Sequence, residues 1–192
     1  MDFLYKKHPK GTYEYAGYKK IVDTCVMIVF FLLALGLYVT GILTTGSKRN
    51  LLTIVAVLGL LPACKMVVSV IMSLRVHPCE TGVRDEIDAH VGILCGQYNM
   101  YFTSYDKNYL LTHMVVYGRN IIGLSSGKGF DEKEFTAHIS DLARKEGIKD
   151  LFVKIFDDKD KYIKRLDELN ASEGTETEAD AILASLIHNV TL

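Results

Sequence analysis

Tryptophan is absent from the 192 residues, proline occurs three times, and the four cysteines, Cys25, Cys64, Cys79 and Cys95, form no Cys-x-x-Cys pair. Without tryptophan, the eleven tyrosines are left to supply any aromatic belt at a membrane surface. The cysteine spacing excludes a thioredoxin-type motif, and four dispersed thiols do not make a disulfide-stapled small domain. A formal net charge of −1 argues against a strongly basic nucleic-acid binder, and 49% hydrophobic residues exclude a disordered chain. Charge of either sign is missing altogether from Thr24 through Ser47.

The near neutrality hides a division. Up to Arg75 the chain carries nine basic and three acidic residues, a net of +6; beyond it thirteen basic and twenty acidic residues give −7. Two halves of opposite sign point to two different surroundings.

The first surrounding is a bilayer. Ile21 to Leu43 is long enough to cross a hydrocarbon core of about 30 Å, which needs roughly 20 apolar residues at 1.5 Å each. Leu51 to Leu74 is of similar length with Lys65 its single charge, and the seven residues Thr44 to Asn50 between them allow only a tight antiparallel hairpin. A cleaved signal peptide is the competing reading of the first run; its apolar region is about 7–15 residues and no A-x-A-like site follows Leu43, so an anchor is expected. Lys6, Lys7, Lys10, Lys19 and Lys20 precede the first span and Arg75 and Arg84 follow the second, against Lys48 and Arg49 in the loop, so both termini are expected in the cytoplasm.

Residues 1–20 form a juxtamembrane segment in which Tyr13, Tyr15, Tyr18, Lys19 and Lys20 mix rings and ammonium groups at headgroup depth. These are the lipid-interface residues; anchoring and orientation account for them, and binding of anionic lipid is the sharper alternative.

Lys65 is the conspicuous residue of the second span. At the bilayer centre a lysine costs roughly 2.5–3.5 kcal/mol on insertion scales, and about nine residues, or about 13 Å, separate it from the end of the span. Pro62, three residues earlier, frees the Leu58 carbonyl and softens the helix. With Leu43 and Leu51 at one depth, Lys65 lies level with Val29, about 9 Å deeper than Asp23. Three roles are open: a lysine that snorkels or pairs with Asp23 to fix helix rotation, recognition of an acid on another membrane protein, or an ion pathway in an oligomer.

Residues 76–192 read as a soluble acidic α+β domain. The periodicity predicts a helix over Glu80 to Gly96 through Val83, Ile87, Val91 and Leu94. Strands follow at Met100 to Ser104, Tyr109 to Tyr117 and Asn120 to Ser125, with turns at Asp106 to Asn108 and Gly118 to Asn120. Asp131 with Glu134 opens a helix buried through Phe135, Ile139, Leu142 and Ala143. A strand with Leu151, Val153 and Ile155 alternating comes next, its other face holding Phe152 and Phe156 about Lys154; then come a helix Lys159 to Leu169 packed through Tyr162, Ile163, Leu166 and Leu169, a polar linker Ala171 to Glu176 and a last helix from about Thr177 whose apolar side is Ile182, Leu183, Leu186 and Ile187. The expected fold class is thus a membrane α-helical hairpin of two transmembrane helices plus a cytoplasmic α+β domain, in the order α-β-β-β-α-β-α-α.

Motifs for chemistry fail on spacing. Ser125 to Gly129 lacks the first glycine and the final hydroxyl of a phosphate loop. Asp157, Asp158 and Asp160 lack the glycine and the glutamate of a calcium loop and suit a helix start. His77, Cys79, His90 and Cys95 match no common zinc pattern, and His113, His138 and His188 have no nucleophile in register. No cofactor, metal or catalytic residue is assigned.

Two resemblances follow. The order α-β-β-β-α-β is similar to the core of restriction-endonuclease-like folds, but the strand Asn120 to Ser125 has no carboxylate where that family carries its metal ligands. The run Lys48 to Pro62, with Lys10-Gly11-Thr12-Tyr13, resembles uncharacterised small two-helix membrane proteins of low-GC Gram-positive bacteria. That resemblance implies a bacterial cell membrane protein with a cytoplasmic tail and carries no site residues. The expected function is non-enzymatic: an integral membrane anchor for an interaction or regulatory domain, with the lipid bilayer and a membrane or cytoplasmic protein, or a second copy, as partners and no nucleic acid. The alternatives are a membrane-tethered hydrolase or nuclease-like enzyme built on carboxylates such as Asp85, Asp88 and Asp106, and a small oligomeric channel or transporter accessory subunit.

Overall fold

A computed structural model of the chain describes residues 5, 8–48, 50–104, 107–125, 130–148, 150–171 and 178–191. They form two compact units: residues 1–8 with 16–75, and residues 9–15 with 76–192.

The first unit is a hairpin of α1 (Tyr15–Thr45) and α2 (Leu51–Arg75), both long and apolar enough to cross a membrane. Buried positions recur at intervals of seven, Ala16 with Asp23 and Ala34 with Gly41 on α1, Ala56 with Ala63 and Met66 with Ser73 on α2. That spacing marks the seam face of each helix, and at its loop end a small residue lets the backbones approach closely. Gly41 shows how closely: a Cβ there would lie 2.8 Å from the Asn50 side chain and 3.0 Å from that of Leu52. Asn50 closes the turn. Its Oδ1 accepts from the Thr53 N–H at 2.8 Å, capping α2, while its Nδ2 donates to the Gly41 and Ser47 carbonyls at 2.8 Å each. The opposite faces stay bare, with Leu32, Leu43, Leu51 and Leu61 more than half exposed.

The second unit contains α3 (Thr81–Val91), β1 (Gly96–Thr103), β2 (Asn108–Tyr117), β3 (Asn120–Ser125), α4 (Glu132–Lys145), β4 (Phe152–Phe156), α5 (Lys159–Ala171) and α6 (Glu178–Val190), in the expected order. The sheet runs β1-β2-β3-β4, antiparallel except for the parallel β3–β4 pair, whose crossover is α4. One face packs on α4 and α6 through Phe135, Ile139, Leu183 and Ile187. The other packs on α3 and α5 through Ile87, Tyr162, Leu166 and Leu169. The result is three layers with a core on each side of the sheet.

Local chemistry sets the boundaries. The Asp131 carboxylate accepts from the Glu134 N–H at 3.1 Å, the cap expected for α4. Gly118 and Arg119, at φ 57° and 59°, make the tight β2–β3 turn, and the Asp180 carboxylate accepts both of their N–H groups at 3.0 and 2.8 Å. Helix α3 is shorter than its apolar spacing suggests, and β1 correspondingly longer. Gly92 stops the helix at φ 57°, and the Asn170 amide donates to the His90 carbonyl in the last turn at 2.6 Å. Asp106, Ser126 to Gly129, and the linker residues 172–177 lie outside the described residues.

Residues 9–15 cluster apart from the two long helices. They belong to the α+β unit, where the Gly11 carbonyl accepts from the Tyr98 N–H at 2.8 Å and the Lys10 ammonium donates to the His188 and Thr191 carbonyls. Thr191 also bridges to Phe102. Both chain ends thereby cover the outer edge of β1, which an open strand would otherwise offer for aggregation.

Candidate functional site

Among the described residues, a buried polar cluster stands out in each unit. In the hairpin it is built on Asp23, which is fully buried. Lys19, one turn earlier on α1, reaches its Oδ2 at 3.1 Å, and the Ser69 and Ser73 hydroxyls donate to the same oxygen from α2 at 2.6 and 3.4 Å. The Tyr5 hydroxyl donates to Oδ1. A carboxylate with one cation and three hydroxyl donors is a satisfied group, and its donors come from both helices.

Lys65 is not part of it. It lies exposed on α2, and Asp23 takes its cation from Lys19. The Lys65–Asp23 pair considered from depth is therefore not formed. Pro62 sits inside α2 without ending it. Between the helices, a groove lined by Phe31, Leu35, Tyr38, Ala56 and Leu60 is almost wholly apolar.

The expected lipid-interface residues are dispersed. Tyr13 is packed into the α+β unit: its hydroxyl donates to the Cys79 carbonyl at 2.9 Å, its ring meets Tyr98 edge-on, and the Arg84 guanidinium lies 4.6 Å above it. Lys19 is engaged with Asp23. Tyr18 stacks obliquely on His8 at 4.8 Å, and Tyr15 and Lys20 both belong to α1.

The cluster of the α+β unit was not legible in advance. At its centre, His113 on β2 is fully buried, its Nδ1 2.6 Å from the Tyr162 hydroxyl of α5 and its ring 4.4 Å from that of Tyr98 on β1. Tyr98 donates to Asp88 at 2.5 Å, and Asp88 also accepts from Arg84 Nε at 3.2 Å. A break in the sheet puts His113 there. The pairing of β2 with β3 shifts by one residue between Leu111 and His113, so Leu111 faces α4 and α6 while His113 faces α3 and α5. On β1, Asn99 takes φ 53° and the same reversal occurs between Tyr98 and Met100. The Asn99 side chain is fixed by the Cys79 N–H at 2.8 Å and the Tyr13 carbonyl at 3.2 Å.

The surroundings set the chemistry of these groups. Burial, opposed by the charge of Asp88, pushes the His113 imidazole down to about 4, so it is neutral near pH 7. Its Nε2 has no hydrogen-bond partner and lies against Gly96, where a Cβ would come within 2.2 Å of it. Burial raises Tyr162, and burial with the bond to Asp88 raises Tyr98, so both phenols keep their protons. Burial also raises the Cys79 thiol, which is protonated and unreactive. His113, Tyr162 and Tyr98 thus form a packed, uncharged core of the cluster, with no room for a ligand at Nε2.

The other carboxylates do not assemble. Asp85 is exposed, Asp88 is held by Tyr98 and Arg84, and β3 carries no acid. His90 pairs with Asp167 at 2.7 Å. Asp158 caps α5, its carboxylate accepting from the Asp160 N–H at 3.0 Å, and Asp157 accepts from Ser125. Among the described residues no three His, Cys, Asp or Glu side chains gather as a metal site would require. No protein-family model matches the chain, and searches of curated proteins and of solved structures find no match.

Proposed function

We propose that the chain is an integral membrane protein of a bacterial cell membrane, whose two-helix hairpin anchors a cytoplasmic α+β domain that docks to a partner protein or membrane assembly and does not itself catalyse a reaction. The observation that carries the anchor is the bare apolar surface of the hairpin. Leu32, Leu43, Leu51, Leu61 and Val68 are each at least 60% exposed, a surface that hydrocarbon accepts and water does not. The seam of Ala16, Ala34, Gly41, Ala56 and Ala63 agrees with that solvent, since small residues drive helix contact where apolar side chains gain nothing over lipid.

The net −7 beyond Arg75 supports a basic protein surface as the partner, because anionic lipid and nucleic acid repel such a domain. The lysines before α1 favour cytoplasmic termini. An alkaline carbonate wash of native membranes tests the anchor: retention in the pellet is expected, and release into the supernatant overturns it. Protease added to intact and to opened cells tests the orientation, with residues 76–192 cleaved only after opening.

A further inference from the structure

We infer that the outward face of α2 docks a transmembrane helix of a different membrane protein, one that presents an aspartate or glutamate to Lys65. This rests on the membrane-anchored reading above. Ile54, Leu58, Leu61, Lys65 and Val68 follow one another at alternating steps of four and three residues and are all exposed. That is the spacing of a helix-packing stripe, and it lies apart from the seam of Ala56, Ala63, Met66 and Ser73 used within the hairpin. A single charge stands in the middle of it, and within the described residues no hydrogen bond or ion pair reaches Lys65.

Snorkelling does not remove that charge from the bilayer. Lys65 is ten residues from Arg75 and fourteen from Leu51, or about 15 and 21 Å, so it sits close to the middle of α2. Its Cα–Cβ bond tilts toward the helix N-terminus, as all helical side chains do, which aims the stem toward Leu61 and the farther end. The nearer interface lies behind it. A membrane-embedded charge of this kind marks a site whose partner carries the opposite sign. A second copy is a poor occupant, because a symmetric contact through this stripe sets Lys65 against Lys65 at one depth.

The full-length protein in phosphatidylcholine vesicles, with a fluorescent acceptor on its soluble domain, tests the chemistry directly. The probes are donor-labelled polyleucine transmembrane helices that carry one Asp, one Asn or no polar residue at mid-length. Energy transfer is expected for the Asp helix, at least about tenfold stronger than for the all-Leu helix, retained in Lys65→Arg and lost in Lys65→Leu. Equal transfer to all three helices, or transfer indifferent to Lys65→Leu, overturns the inference. A photoreactive residue at Leu61 in native membranes supplies the second arm. A crosslinked protein with an intramembrane acid, lost in Lys65→Leu, supports the inference; a crosslinked second copy, or lipid alone, overturns it. Failure of the chain to enter vesicles at all instead overturns the membrane anchor.

Discussion

The Ser69 hydroxyl donates to the Asp23 carboxylate across the hairpin at 2.6 Å, joining α2 to a buried acid on α1. Interhelical hydrogen bonds in a membrane average about 0.6 kcal/mol, with a maximum near 1.7. Ser69→Ala is therefore expected to weaken the hairpin by about 1 kcal/mol. Asp23→Leu also strands the Lys19 ammonium, 13% exposed, and is expected to cost more, about 3 kcal/mol. Thermal unfolding in mild detergent ranks the variants; equal midpoints for Asp23→Leu and Ser69→Ala would show that the ion pair contributes nothing.

Asn50 is the second fastener of the hairpin. Its carbonyl caps α2 and its amide group holds the Gly41 and Ser47 carbonyls, so Asn50→Ala removes both functions and is expected to cost about 1–2 kcal/mol. Asn50→Asp keeps the cap and loses the donors, so it should fall between wild type and Asn50→Ala. If Asp and Ala destabilise equally in detergent unfolding, the cap is not what Asn50 contributes.

Much of this architecture is readable from residue order. The uncharged run into α1, the Asp131–Glu134 cap and the alternation Leu151, Val153, Ile155 each carry a local signal that tertiary packing does not override. The hairpin register was readable too: pairing Leu43 with Leu51 sets Asp23 opposite position 71, and Ser69 and Ser73 flank that position. Lys65 stands out in the sequence as a charge, whereas a serine in an apolar run does not, so the partners of Asp23 carry little signal of their own. The end of α3 was hidden because Val91 and Leu94 keep a helical spacing across Gly92, whose left-handed backbone ends the helix. His113 was hidden for a different reason. Its partner Tyr162 is 49 residues away, and its face is set by a bulge whose only trace in the sequence is the polar pair Thr112-His113 inside an apolar strand.

Two glycines make a matched test of the packed knot. Gly96→Ala drives a Cβ to within 2.2 Å of His113 Nε2, a ring held in place by Tyr162 and Tyr98, and overpacking of this kind typically costs 1–3 kcal/mol. Gly82 in α3 has open space around it, so Gly82→Ala is expected to stabilise by a few tenths to about 1 kcal/mol. Hydrogen exchange of the β1 amides reads both effects. Unchanged protection in Gly96→Ala would mean that His113 can move aside.

The neutral His113 makes the α+β unit sensitive to acid. Its imidazole titrates near 6.5 in an unfolded chain and about 4 in the folded one, where burial disfavours the cation. Between those values the unfolded chain binds a proton that the folded chain refuses, so stability falls as pH drops from 6.5 toward 4. The loss is about 2 kcal/mol at pH 5 and roughly 3 kcal/mol once the window is crossed. The histidine contribution is isolated by comparison with His113→Leu. That variant leaves the Tyr162 hydroxyl without its partner and should be less stable at pH 7, yet lose less between pH 7 and 5. Protection of the β2 amides in native-state exchange supplies the free energies. Parallel pH profiles for wild type and His113→Leu would show that the buried imidazole is not the group that titrates, whereas profiles that converge toward pH 5 assign the acid sensitivity to it.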